Sequence, residues 1–357
     1  MLQNIVELLA RLSETPGPSG HEDEVRNLII AELKKQDLDV DVDALGNVFA
    51  ELRGGQQRPR ILVCAHMDEV GFIIKFVEQT GYLRFGTLGM VDPKILPGQR
   101  VVIKGTEPYV GVIGSKPPHI LTPEEMRKPS ELGDLYMDFG ASSREEATEL
   151  GIEVGTVATF DAAFAHAYGT MVIGKALDNR TGCAVALKLT ESLVRKPPSC
   201  SVVFAFTVQE ELGLRGAEVA ANRVTPDAAL VLETAVAADS PDVQPKDRIL
   251  VVGRGPAIRV MDASMITQRL MLEYMKKTAQ TLAIPYQLHI NLGGSTDAGR
   301  IHLSGRGIPT GVLSIPCRYL HSASLMLNLE DLNHLLNLSE STIRGIDRQT
   351  KFSFIPE

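Results

Sequence analysis

RILVCAHMDEVGF, residues 60–72, decides the fold: an unbroken apolar run from Ile61 to Ala65 leads straight into a histidine and an aspartate. A strand that is apolar at successive positions has both faces covered, which is the habit of a central strand in a parallel sheet. Working outward, SVVFAFTV (201–208), AALVLE (228–233), RILVVG (248–253), YQLHI (286–290) and TGVLSI (310–315) read as further strands. Helical spacing lies between and after them, near 179–194, 215–222, 264–283 and 329–345. This alternation predicts an α/β fold, a mostly parallel sheet with helices on both faces.

The first 69 residues fit the same domain. Two amphipathic helices are expected at about 3–13 and 22–36, separated by TPGPSGHE (15–22), whose Pro and Gly residues break a helix. The segment LDVDVDALGNVFAEL (38–52) reads as strand. From 70 to 168 the texture changes to short strand-like runs (VGFIIKFVE, YLRFGTLG, QRVVIKG, YVGVIGS, TVATF) punctuated by Gly and Pro, with one helix at SREEATELG. The expectation is therefore a catalytic domain of 1–69 plus 169–357, interrupted by an inserted small β-barrel domain at 70–168.

Composition narrows the function. With 357 residues, 44% hydrophobic and 22% charged, the chain suits two domains or one large domain with an insertion. A net charge of −8 without a Lys/Arg cluster argues against nucleic acid or an anionic membrane surface as partner. No apolar run is long enough to span a bilayer, and MLQNIVELLARLSE has helical spacing where a secretory leader would have a basic start and an apolar core. A cytoplasmic protein is expected. Cys64, Cys183, Cys200 and Cys317 are scattered singly and read as reduced core residues.

The residues with chemical potential fall just past the ends of the expected strands, the edge of an open α/β sheet where ligands bind. His66 and Asp68 follow Ala65; Glu210 and Glu211 follow SVVFAFTV; Glu233 ends AALVLE; His321 follows TGVLSI; Asp178 opens a helix. Singly, each has an ordinary reading as a hydrogen-bonded or solvated side chain. Together, two imidazoles and several carboxylates at one edge carry uncompensated negative charge that divalent cations would neutralise. The mixed nitrogen and oxygen donors suit Zn2+, Co2+ or Mn2+ better than Ca2+ or Mg2+. In the tandem Glu210-Glu211, one carboxylate can hold a metal while its neighbour stays free as a base towards water. Asp68, two residues after His66 on an extended segment, lies on the same side and can accept the second N–H of the imidazole.

Five motifs in order, HMDEVGF (66–72), KALDNRTGC (175–183), QEELGLRGA (209–217), GGSTDAG (293–299) and RYLHS (318–322), resemble the tetrahedral aminopeptidases, a group that includes glutamyl aminopeptidases and members labelled cellulases. The resemblance spans essentially the whole chain. It implies a metal-dependent aminopeptidase with two divalent ions per subunit, Asp178 bridging them, His66 and Glu233 completing one and Glu211 and His321 the other. It also implies Glu210 as general base, peptide substrates, and a barrel that forms dimers which assemble into a hollow dodecamer. Position 233 is often Asp in that family and is Glu here. On the wider scaffold Glu at this place accompanies carboxypeptidases and deacylases, which stand as alternatives.

A glycoside hydrolase is a further alternative, but it needs only two carboxylates, leaves both histidines idle, and has no Trp to stack a sugar. GGSTDAG is either a loop approaching the substrate, with Asp297 as a polar contact, or a plain turn. Arg259 and Arg318 lie near segments that the resemblance places at the cleft. Either guanidinium can bind an acidic N-terminal residue; alternatively each pairs with a local acid such as Asp262 and leaves an apolar pocket for Leu or Met.

Overall fold

A computed structural model describes residues 2–55 and 58–352. The expected α/β architecture is present. At its centre, strands Ser201–Thr207, Arg60–His66, Ala228–Val236 and Thr310–Arg318 lie side by side and parallel. Alternate side chains enter opposite layers, as the pleat requires. Ile61, Val63 and Ala65 pack with helices Leu2–Glu14, Asp23–Lys34, Leu177–Arg195 and Leu329–Arg344, whereas Leu62 and Cys64 face helices Arg215–Val224 and Ala298–Ile301. This is why the run has no polar interruption. Each Val, Leu or Ile so buried contributes roughly 1.5–3 kcal/mol of transfer free energy.

The flanks of the sheet are antiparallel, so the sheet as a whole is mixed. Val48–Leu52 pairs antiparallel with Ser201–Thr207, and Leu325–Asn328 with Thr310–Arg318. Two expectations change in detail. RILVVG is not a strand: the Val251 N–H and C=O are satisfied by the Gln287 amide and the Val252 N–H by Asp239, so side chains replace a neighbouring strand. Ala257–Asp262 pairs there instead. The following helix begins at Arg269, not near 264, because the Asp262 carboxylate accepts the N–H groups of Ser264 and Met265 and holds them in a turn.

Within 70–168, six strands close into an antiparallel barrel, from Gly71–Val77 to Val157–Phe160. Phe72 is its hub, edge-to-face with Phe85 at 5.3 Å and with Phe160 at 5.1 Å between centroids. All four cysteines are buried and unpaired. Among the described residues no helix is long and apolar enough to cross a membrane.

Candidate active site

His66 is the last residue of its strand and pairs in register with Thr207, the last residue of the neighbouring strand. The chain leaving Thr207 reaches Glu210 and Glu211 a few residues later, and Glu233 lies in the next strand, so three adjacent parallel strands deliver their donors to one edge. Asp178 comes from below: the helix Leu177–Arg195 is extended at Asp178 (φ −89°, ψ 105°), which aims its carboxylate back at the sheet. His321 follows the fourth strand with φ +58°. Ala176, just before the Leu177–Asp178 pair, and Gln209, just before Glu210, have φ +53° as well. Left-handed backbone is costly for residues with a Cβ and concentrates at functional sites.

The side chains form two sets that share Asp178. His66 Nε2 lies 3.5 Å from Asp178 Oδ1 and 3.4 Å from Glu233 Oε1. His321 Nε2 lies 3.5 Å from Asp178 Oδ2 and 3.5 Å from Glu211 Oε2. In each set, one donor atom per residue falls within 4.8 Å of the others, and the same holds for His66, Glu210 and Glu211. Asp68 stands behind them, fully buried, with Oδ1 3.5 Å from His66 Nδ1. It accepts the Ser19 hydroxyl and the N–H groups of Glu210 (3.0 Å) and Glu211 (3.2 Å), so one carboxylate fixes the turn that carries the tandem glutamates.

The electrostatics show what the cluster lacks. Burial pushes Glu211 up to about 8, with Asp178 and Asp68 adding to the shift and His321 and His66 opposing it. Burial likewise drives Glu210 well above the carboxylate range. Burial alone would lower His66, but Glu233, Glu210, Asp178 and Asp68 hold it well above its ordinary value, and Asp178 and Glu211 carry His321 to about 9 against the same burial. Glu233 Oε2 is buried without a hydrogen-bond partner, a spare oxygen donor at the same place. Imidazole nitrogens and carboxylate oxygens in this ratio, with no thiolate, fit divalent ions of the Zn2+, Co2+ or Mn2+ kind.

A cleft of about 870 Å³ opens over the cluster, lined by His66, Asp178, Glu210, Glu211, Glu233 and His321 together with apolar Met90, Leu214, Val236, Ile249, Leu303 and Leu320. Of the three residues expected at the substrate, only Arg259 lines it. Its side chain is 3% exposed and its Nη1 donates to Asp262 at 2.9 Å. Arg318 is off the cleft, gripped by both oxygens of Asp239 at 2.7 Å each. Asp297 does not line the cleft: it is fully buried and accepts the Thr207 hydroxyl and the Cys64 thiol.

Sequence reasoning missed several supports. Glu22 is buried and accepts the N–H groups of Gly20 and Gln209; burial first and then Asp68 push its carboxyl up to about 7. Lys175 and Arg180, either side of Asp178, both meet buried Glu69. The motifs PSGHE and KALDNRTG contained all of these except Glu69, which sits in HMDEVGF, but charge within a motif does not reveal its partner.

Comparison with known proteins shows the family. A family model described as M42 glutamyl aminopeptidase matches residues 46–338. The TET aminopeptidase of a marine sediment archaeon of the Thaumarchaeota is 39% identical, with a TM-score of 0.95 and 98% of each chain covered. The TET1 peptidase of Pyrococcus horikoshii, which can assemble into a tetrahedron or a large octahedral shell, is 35% identical with a TM-score of 0.85, covering 96% of this chain and 100% of that one. The lysyl aminopeptidase of Pyrococcus furiosus is 32% identical over 349 residues, 95% of this chain and 97% of its own length. A model match over most of the sequence, and relatives that align from end to end, place the chain in the M42 glutamyl aminopeptidase family.

Proposed function

We propose that this M42 peptidase is a two-metal aminopeptidase, and the observation that carries the reading is the sharing of Asp178 between the His66–Glu233 pair and the Glu211–His321 pair. His66, Asp178 and Glu233 would hold one ion and Asp178, Glu211 and His321 the other, with Zn2+ or Co2+ the best fit and Mn2+ next. When bound, such a pair polarises a carbonyl and acidifies water. Glu210 would take the proton of the attacking water and return it to the leaving amine; its place in the cleft, beside both Asp178-centred sets but in neither, supports this. Asp68 orients His66 and, through the backbone of Glu210, the base itself. A glycoside hydrolase would leave His66 and His321 without work.

A free N-terminal amine should be obligatory. Aminoacyl-p-nitroanilides are expected to be cleaved and their N-acetylated forms to resist. Efficient hydrolysis of acetylated substrates, or release of C-terminal residues from peptides, would instead favour the deacylase or carboxypeptidase alternative.

The cleft supports an apolar first residue. Arg259 is neutralised by Asp262 and almost without exposure, and although Arg300 and several hydroxyl and amide side chains also line the cleft, the wall offers Leu214, Val236, Ile249, Leu303, Leu320 and Met90. Leu-p-nitroanilide should therefore exceed Glu- and Lys-p-nitroanilide in kcat/KM. A preference for Glu that disappears in Arg259→Ala would overturn this.

The 70–168 barrel reads as the assembly domain, and subunits should form dimers within a dodecamer. Its outer surface exposes Phe76, Val110, Val112, Ile120 and Met126, more apolar area than a solvated barrel needs. Sedimentation should give a mass many times the 38.8 kDa of one chain; an active monomer would contradict the assignment.

A further inference from the structure

The two ion positions are built from different materials. His66 ends a central strand and Glu233 lies within one, both almost wholly buried, so apart from the shared Asp178 that position rests on the parallel sheet. His321 sits on a loop, in left-handed backbone, with its side chain 28% exposed. Three contacts tie this loop and Glu211 to the barrel. Ala323, two residues beyond His321, packs in the barrel's own hydrophobic cluster with Val70 and Phe72. Met90, in the barrel loop that follows the strand Leu83–Leu88, lines the cleft beside His321, close enough for its backbone to help raise the imidazole's pKa. Gly89 of the same loop lies so close to Glu211 that a Cβ there would sit 3.2 Å from Glu211 Cβ and 3.3 Å from Oε2, as well as 2.8 Å from Val70 Cγ1.

We infer that the barrel completes the catalytic site as well as serving assembly: its Gly89–Met90 loop is a positioning element for Glu211 and His321, so the ion held by those two residues depends on the barrel and the ion held by His66 and Glu233 does not. This deepens the two-ion reading and rests on it. The physical basis is that contacts which hold metal-binding side chains from outside, here Gly89 against Glu211 and Ala323 in the barrel core beside His321, are worth about 10–100-fold in metal affinity. Glycine is required at 89 on two counts, a φ of +88° and the absence of room for a side chain.

The test is a Co2+ titration of the metal-stripped full chain, followed by calorimetry and by metal content after gel filtration. Wild type should take up two ions per chain. Gly89→Ala should keep the first binding step and weaken the second by about 10–100-fold, leaving one ion after filtration. If Gly89→Ala fails to fold, Gly89→Ala with Val70→Ala removes the clash with the valine and keeps the one with Glu211. Met137→Ala is the control, because Met137 pairs with Leu83 at the far end of the Leu83–Leu88 strand; it loosens the barrel core and should retain both ions. Equal loss of both steps in the folded Gly89 variant, no loss at all, or the same loss in Met137→Ala would overturn the inference. Wild-type protein that binds fewer than two ions would defeat the two-ion reading itself.

Discussion

Dialysis against a strong chelator is expected to abolish peptide hydrolysis, and added Co2+ or Zn2+ to restore it. Asp178, Glu210, Glu211 and Glu233 converge at one sheet edge, largely buried, with two imidazoles to balance them. Without cations the cluster relieves itself by keeping protons, which is why burial carries Glu211 to about 8 and its neighbour Glu210 well above the carboxylate range. A protonated Glu210 cannot accept a proton from water, and without the ions nothing polarises the substrate carbonyl, so the stripped protein should lose both functions together. The loss should be complete within assay limits and reversible. Metal-free protein with full activity, verified by elemental analysis, would remove the basis of the proposed mechanism.

Glu210→Gln should retain both metals while kcat falls by about two to four orders of magnitude, the usual size of a general-base contribution. The backbone N–H of residue 210 stays bonded to Asp68, so the amide replaces the carboxylate without moving the turn. Neither Asp178-centred set includes Glu210. It does lie within reach of His66 and Glu211, however, which supplies the competing outcome. Should the variant come out of purification with metal missing, Glu210 is a ligand and the roles of the tandem glutamates are reversed.

Much of this architecture was legible in local sequence, for a physical reason. A run such as Ile61 to Ala65 has no polar residue because both of its faces are covered, and that property belongs to the residues themselves. The end of such a strand is equally local, so His66, Glu210, Glu211 and Glu233 could be assigned to one edge before their neighbours were known. RILVVG shows the boundary of this reasoning. It has the composition of a strand, but the Gln287 amide and Asp239 satisfy its backbone where a ladder would have done so, and both partners are remote in sequence or outside the pattern.

Sequence by itself determined the α/β class, the strand-rich insert, and the identity and ordering of the donor residues, because hydrophobic periodicity and strand ends are written within a few residues of each other. The motif resemblance already implied the pairing of donors around Asp178; tertiary structure decided that Arg318 is taken by Asp239 and Arg259 by Asp262, that Asp297 is buried away from the cleft lining, and that a barrel loop rests on Glu211. Each of these depends on which of several available acids a cation reaches, or on how closely two backbones approach across more than a hundred residues. Such choices are settled by packing: Arg259 and Asp262 are only three residues apart, yet their pairing was one of two readings open to the sequence, and the other partners lie far apart along the chain.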